Sequence, residues 1–343
     1  MVHRFAPVRG TGCQDEPLKE HPFLVRHKVS CQAGLHRRYQ LESRLSRGVN
    51  PFCQHDLARQ RAVLFLGAGV SASAIPADGN RIQGWGDFLK AAANKAKEPT
   101  KTQALRLIED KDYLLACEIL QSHLSDDWED IVIAEFGKAA SPSELHRAII
   151  DLDQRLFITT NFDKLLEAAW SERPVDGMRY PRVFSKIDDK IFRALKDHEG
   201  RYLVKIHGSV DNPQDIVFSR SQYIRSAFGN TQYSGFLESL LLNYTFLFIG
   251  FSMDDPAITS LMELYALRYP NARPHYMMSG DSQPENILEM NKKLRKLVVM
   301  QYDPKDHHAA LPKILREMST QSALKRRDIV AAMMSKVREI PLG

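Results

Sequence analysis

The sequence predicts an α/β protein: a doubly wound parallel sheet of about six strands with a helical insertion. Two observations carry this. Six short apolar runs recur from residue 61 onward, at 63–66 (VLFL), 156–160 (LFITT), 202–206 (YLVKI), 246–250 (FLFIG), 275–278 (HYMM) and 297–301 (LVVMQ). The four clearest are near-continuous rather than alternating, the mark of strands buried on both faces of a parallel sheet. Segments with apolar residues at helical spacing separate most of the runs, and strand–helix–strand alternation closes into right-handed crossovers.

Taken in order, residues 1–55 mix Pro, Gly, Cys, His and Arg with little apolar periodicity. They predict an irregular arm. After the first strand, helical spacing appears over 86–97, 113–123 and 143–150, then over 162–170, 233–243 and 255–268. About 90 residues separate the first two strands, far more than a simple crossover needs. Residues 80–150 therefore predict a helical insertion beside the sheet. Asp254 reads as the N-cap of the helix over 255–268, with Pro256 in its first turn. The tail 309–340 predicts one or two helices.

Composition excludes more than it selects. No apolar run of about 18 residues exists, so no membrane span is expected. The start MVHRFAPVRG lacks the apolar core of a signal peptide, which points to the cytoplasm. Cys13, Cys31, Cys53 and Cys117 are too widely spaced for a zinc site and read as free thiols of a reducing compartment. The net charge of +5 is mild. Arg37, Arg38, Arg44 and Arg47 near one end, and Lys325, Arg326 and Arg327 near the other, read first as solvated surface. A basic rim facing nucleic acid or a partner is the second reading.

The chemistry is concentrated where strands end. The first strand runs into Gly67-Ala68-Gly69-Val70-Ser71. A bare turn there lets phosphates approach backbone N–H groups at the next helix N-terminus, and Ser71 adds a hydroxyl. Ala72 stands where a third glycine is usual. The second strand ends in Thr159-Thr160-Asn161-Phe162-Asp163, the third in Lys205-Ile206-His207-Gly208-Ser209, the fourth in Gly250-Phe251-Ser252-Met253-Asp254-Asp255. All four stretches lie at carboxyl ends of predicted parallel strands, the edge where such a sheet binds ligands. Each has a plainer reading. Asn161, Ser252 and Asp254 suit helix caps, Asp163 a helix dipole, His207 a bonded core histidine and Trp85 simple packing.

Together, GAGVS, TTNFD, KIHGS and GFSMDD resemble the sirtuin family over roughly residues 60–305. The resemblance implies a Rossmann-like fold with NAD as substrate. It places the pyrophosphate on Gly67, Ala68, Gly69 and Ser71, and the nicotinamide ribose by Asn161 and His207. His207 would be the general base, Gly250 and Ser252 would meet the adenosine side, and Asp163 would support the site directly or from behind. Catalytic roles thus fall on Asn161 and His207. Departures matter equally. No paired cysteines exist for the zinc module of deacylating sirtuins, and Thr160 replaces the glutamine that precedes the asparagine there. TTNFD and KIHGS look like the divergent sirtuin-like branch of prokaryotic antiviral systems, whose members hydrolyse NAD.

The resemblance therefore implies an NAD+ hydrolase without metal. Residues 1–55 would be an arm, 56–305 the NAD-binding catalytic domain and 306–343 a helical tail. The resemblance also implies a homo-oligomer and a partner that acts as trigger, a DNA-translocase ATPase or an Argonaute-like protein. Direct nucleic-acid contact has only the basic ends in its favour. Three rivals stand beside this: a sirtuin-type deacylase with an unusual substrate site, a non-catalytic NAD or ADP-ribose-binding subunit, and a nuclease or nucleic-acid-binding subunit suggested by the basic ends alone.

Overall fold

A computed structural model describes residues 50–77, 79, 81–173, 180–197, 200–253 and 255–338. The chain divides after Gly48, and all described residues belong to the second unit. The expected arm up to residue 49, with Cys13, Cys31 and Arg37–Arg47, lies outside the described residues, as does Asp254.

Nine strands appear in chain order: β1 (Ala62–Leu66), β2 (Ile75–Pro76), β3 (Ala140–Ser141), β4 (Leu156–Thr159), β5 (Arg182–Phe184), β6 (Tyr202–Lys205), β7 (Thr245–Ile249), β8 (His275–Ser279) and β9 (Leu297–Gln301). Seven form one sheet in the order β5-β6-β4-β1-β7-β8-β9. Every pairing in it is parallel. The remaining two form a short antiparallel pair. Strands β4 to β6 all lie on one side of β1, and the chain then restarts at β7 on the other. The topological switch point therefore lies at β1, where open α/β sheets bind ligands.

The near-continuous apolar runs have the predicted cause. All five residues of β1 are buried. Val63 and Phe65 join a core on one face with Phe246, Phe248 and Val204. Ala62, Leu64 and Leu66 join a second core on the other face with Phe157, Leu247 and Tyr276. A strand covered on both faces has no polar side to alternate with.

The structure departs from expectation at three places. The sheet has a seventh strand, β5, at its edge; it is three residues long and Val183 is 41% exposed, so no apolar run announces it. Residues 51–55, assigned to the irregular arm, belong to a helix over Pro51–Ala58. Asn50 caps it through Oδ1, which accepts from Phe52 N at 2.9 Å. The helix over Pro256–Arg268 is capped by Asp255, whose side chain accepts from Ala257 N and Ile258 N, rather than by Asp254.

Between β1 and β4, the helices Trp85–Ala93, Thr100–Glu109, Tyr113–Leu124 and Asp126–Phe136 form a layer beside the sheet. They share an aromatic core of their own, built on Phe88 and Trp128. Phe162 and Phe218, from the loops after β4 and β6, are part of that core. The helical layer thus grips two of the four motif loops directly. The last helix among the described residues is Ala310–Arg338. Leu311, Leu315 and Met318 bury its first half against the second core, and Gln54 Nε2 donates to Met318 O at 2.8 Å.

Candidate active site

The four motif-bearing strands, β6, β4, β1 and β7, are consecutive neighbours in the sheet. Their loops therefore touch, and the contacts explain the residue choices.

The glycines after β1 first serve another loop. Gly67 N donates to Ile249 O at 3.0 Å, and Gly69 N to Gly250 O at 2.9 Å. A Cβ on Gly67 would stand 2.4 Å from Gly250 O, and one on Gly69 would stand 2.9 Å from Gly250 Cα. Gly250 itself has φ +61°, and a Cβ there would stand 2.7 Å from Val70 N. All three positions are bare so that two backbones can meet at the switch point. Ala68 and Gly69 stay exposed on the outer side of this seam, in the single helical turn Ala68–Ser71.

The loop after β4 is tied to the same turn. Thr159 Oγ1 donates to Leu66 O at 3.0 Å and accepts from Asn161 N at 3.0 Å. Asn161 Nδ2 donates to Gly67 O at 2.9 Å. Ser71 donates its hydroxyl to Asp163 Oδ2 in a short hydrogen bond. Asp163 Oδ1 accepts from Leu165 N at 3.0 Å. Both carboxylate oxygens of Asp163 are thus committed, and it acts as a clamp between two loops. Trp85 packs edge-on against Phe162 and Phe218, as a packing residue does.

After β6, Lys205 is 1% exposed. It meets Glu167 at 2.7 Å and donates to Asp163 O at 2.6 Å. A buried ammonium needs such partners. It binds the β6 end to the β4 loop. His207 follows, 8% exposed. Its Nε2 lies 3.3 Å from Asp255 Oδ2. Burial lowers the His207 pKa, and the Asp255 charge works in the opposite direction. Gly208 takes φ +95°, and a Cβ there would meet Ile216 Cα at 2.9 Å.

Among the described residues, three cavities open at these strand ends. A large one, about 830 Å³, is bordered by Gly69, Gly250, Ser143, Tyr302, His307 and Arg316. A small one of about 50 Å³ is lined by Ala68, Ser71, Trp85, Asn161 and Asp163. The third, about 410 Å³, lies beside Gly208 with Tyr233 and Arg225. The residues singled out in the sequence therefore gather around one seam but divide between cavities. Gly69 and Gly250 face the large one, while Ala68, Ser71, Asn161 and Asp163 share the small one. His207 lines none of these three, and Ser252 is exposed on the β7 loop. Among the described residues, no group of three or more His, Cys, Asp or Glu side chains could hold a metal.

Sequence reasoning passed over Lys205, Glu167, Asp255 and Tyr223. Lys205 had left a signal, a lysine inside an otherwise apolar strand. Asp255 had left one as well, standing directly before the proline of a helix. His146 was also passed over. It is buried, its Nδ1 accepting from Ser143 N at 3.1 Å, and burial lowers its pKa to about 4.

The fold and this seam define a doubly wound α/β protein with its candidate site at the switch point. Residues 155–302 match the model of the SIR2-like domain. The relatives are specific. The chain is 28% identical over 222 residues to "NAD(+) hydrolase ThsA" of Cytobacillus dafuensis, covering 64% of this chain and 41% of that one. It is 27% identical over 241 residues to the protein of the same name from Enterococcus faecium, covering 68% and 46%. With "Defense-associated sirtuin 2" of Bacillus subtilis it shares 22% identity over 286 residues, covering 79% and 27%. The chain thus spans less than half the length of these curated relatives.

Proposed function

We propose that this chain is an NAD+ hydrolase that cleaves the nicotinamide–ribose bond to give nicotinamide and ADP-ribose, and that it depletes NAD in antiphage defence. The observation that carries the reading is the adjacency of the four motif loops at the switch point, with Asn161 bonded across it to Gly67. The names of the relatives support it.

Water attacks C1′ of the ribose as the C–N bond breaks. The bonding pair returns to the pyridinium nitrogen, so the leaving group departs neutral and needs no acid. The sugar passes through an oxocarbenium-like transition state. Water then holds an extra proton, which His207 takes as general base and returns to solvent. Burial keeps this imidazole neutral at physiological pH, as a base must be. Asn161 holds the ribose hydroxyls or the water. Gly67, Ala68, Gly69 and Ser71 line the pyrophosphate path, with Gly250 and Ser252 on the adenosine side. Asp163 supports them from behind. The scheme uses no metal.

Residues 56–305 form the catalytic unit of this proposal. Residues 1–55 and 309–343 supply contacts to further copies of the chain or to a partner that triggers activity, a DNA-translocase ATPase or an Argonaute-like protein. Such control suits an enzyme toxic to its own cell. The cytoplasm, where NAD is abundant, is its proposed place. No helix among the described residues is long and apolar enough to cross a membrane.

The test is NAD consumption by the purified chain with products separated by chromatography. The wild type should release nicotinamide and ADP-ribose, and His207→Ala and Asn161→Ala should each lower turnover roughly 10²-fold or more. Undiminished turnover in both variants would end the assignment. NAD binding without turnover would favour a binding subunit, and nicotinamide release only with an acyl-lysine peptide a deacylase.

A further inference from the structure

The side of His207 away from the seam is unusually well defined. Its Nε2 is fully buried and lacks a hydrogen bond of good geometry, while Asp255 Oδ2 stands 3.3 Å away. The carboxylate is held in place independently. Asp255 Oδ1 accepts from Ala257 N at 3.0 Å and Ile258 N at 3.1 Å, and from the Tyr223 hydroxyl. Tyr223 in turn packs its ring edge-on against His207, with centroids 5.9 Å apart. One oxygen thus serves the helix over Pro256–Arg268, and the other is left for the imidazole. Nδ1 makes no hydrogen bond among the described residues.

We infer that Asp255 is a positioning residue for His207: its carboxylate accepts a hydrogen bond from the Nε2–H, which fixes the tautomer and leaves Nδ1 as the basic nitrogen. This rests on the hydrolase reading only for what that nitrogen then does. A buried carboxylate that orients an imidazole and stabilises its protonated form is a recurrent device of base catalysis.

The groups around the imidazole agree. From the segment Arg220–Tyr223 comes Tyr223, and from the helix Thr231–Asn243 comes Tyr233. Burial, with the Asp255 charge, pushes both phenols above their ordinary range, so both stay neutral. Lys205, on the same strand end, is turned to Glu167. Asp255 is the charge that bears on His207, and it opposes the effect of burial.

The experiment is a two-dimensional 1H–15N spectrum of histidine side chains in the full-length chain, with His207→Gln identifying the resonance. The neutral ring should carry its proton on Nε2. Asp255→Asn and Asp255→Ser both keep an N-cap acceptor for the helix and remove the charge. Both should lower the midpoint of the His207 titration by roughly one pH unit or more, and Asp255→Asn should also disturb the tautomer. In steady state, the acid limb of kcat/KM should move to lower pH by the same amount, with kcat down roughly 10²-fold or more. A role limited to capping would leave both midpoints in place, because both variants keep the cap. An Nδ1–H tautomer in the wild type, or an unmoved titration in both variants, would overturn the inference. The spectrum needs no turnover, so loss of the hydrolase reading through an active His207→Ala is a separate result.

Discussion

Gly250 shows at the level of one residue what the switch point demands. Its φ of +61° is one that L side chains rarely adopt, and the atoms a Cβ would meet, Val70 N at 2.7 Å and Gly69 C at 3.0 Å, belong to the backbone. Backbone cannot swing aside as a side chain can. Gly250→Ala should therefore cost about 1–3 kcal/mol and part the β1 and β7 loops. Thermal unfolding with NAD titration by calorimetry measures both, and an unchanged melting temperature with unchanged affinity would show the close approach to be dispensable. Ser71 and Asp163 make a different point. Their types suggested contact with a ligand, whereas their side chains bond each other. Side-chain chemistry was legible in the sequence; the partner of each group was not.

At the scale of elements, the site is held by ties between strand ends. The most deeply buried tie is Lys205 to Glu167, which joins β6 to the helix Leu165–Ser171 and, through Asp163 O, to the β4 loop. Removing one partner of a buried pair strands the other charge, at about 3–5 kcal/mol, while replacing both by apolar residues is often neutral. Lys205→Met should thus destabilise strongly, and adding Glu167→Leu should recover much of the loss in urea unfolding. Equal stability of single and double variants would mean the pair is not coupled. Helices over 113–123 and 233–243 were legible because their burial follows their own apolar spacing; the structure has them at Tyr113–Leu124 and Thr231–Asn243. Strand β5 was not, because three residues at a sheet edge carry no periodicity.

For the whole molecule, buried histidines tie stability to pH. Burial lowers His146 to about 4 and His275 to about 3, from an ordinary value near 6.5. Backbone amides donate to Nδ1 of each, from Ser143 and from Phe246, which requires the neutral ring. The folded state therefore binds fewer protons than the unfolded chain below pH 6.5. The stability they contribute is complete above that value and is lost as pH falls toward 4 and 3. Each should cost roughly 1.4 kcal/mol per pH unit through that window. Urea unfolding at pH 7.5, 6 and 5 measures the slope. The slope should shrink in His275→Gln, and an unchanged slope there would remove that histidine from the account.

The sequence by itself determined the strands of the sheet interior, most of the helices and the four motifs with their residue types. Those follow from local apolar spacing and turn chemistry, which a chain carries within some ten residues. Only the tertiary structure decided that β6, β4, β1 and β7 lie side by side, that the Gly67 and Gly69 amides are spent on the β7 loop, and that Asp255 faces His207. These are relations between segments 40 to 190 residues apart in the chain. Their energy comes from packing both faces of one sheet, and no local pattern encodes which neighbour that packing selects.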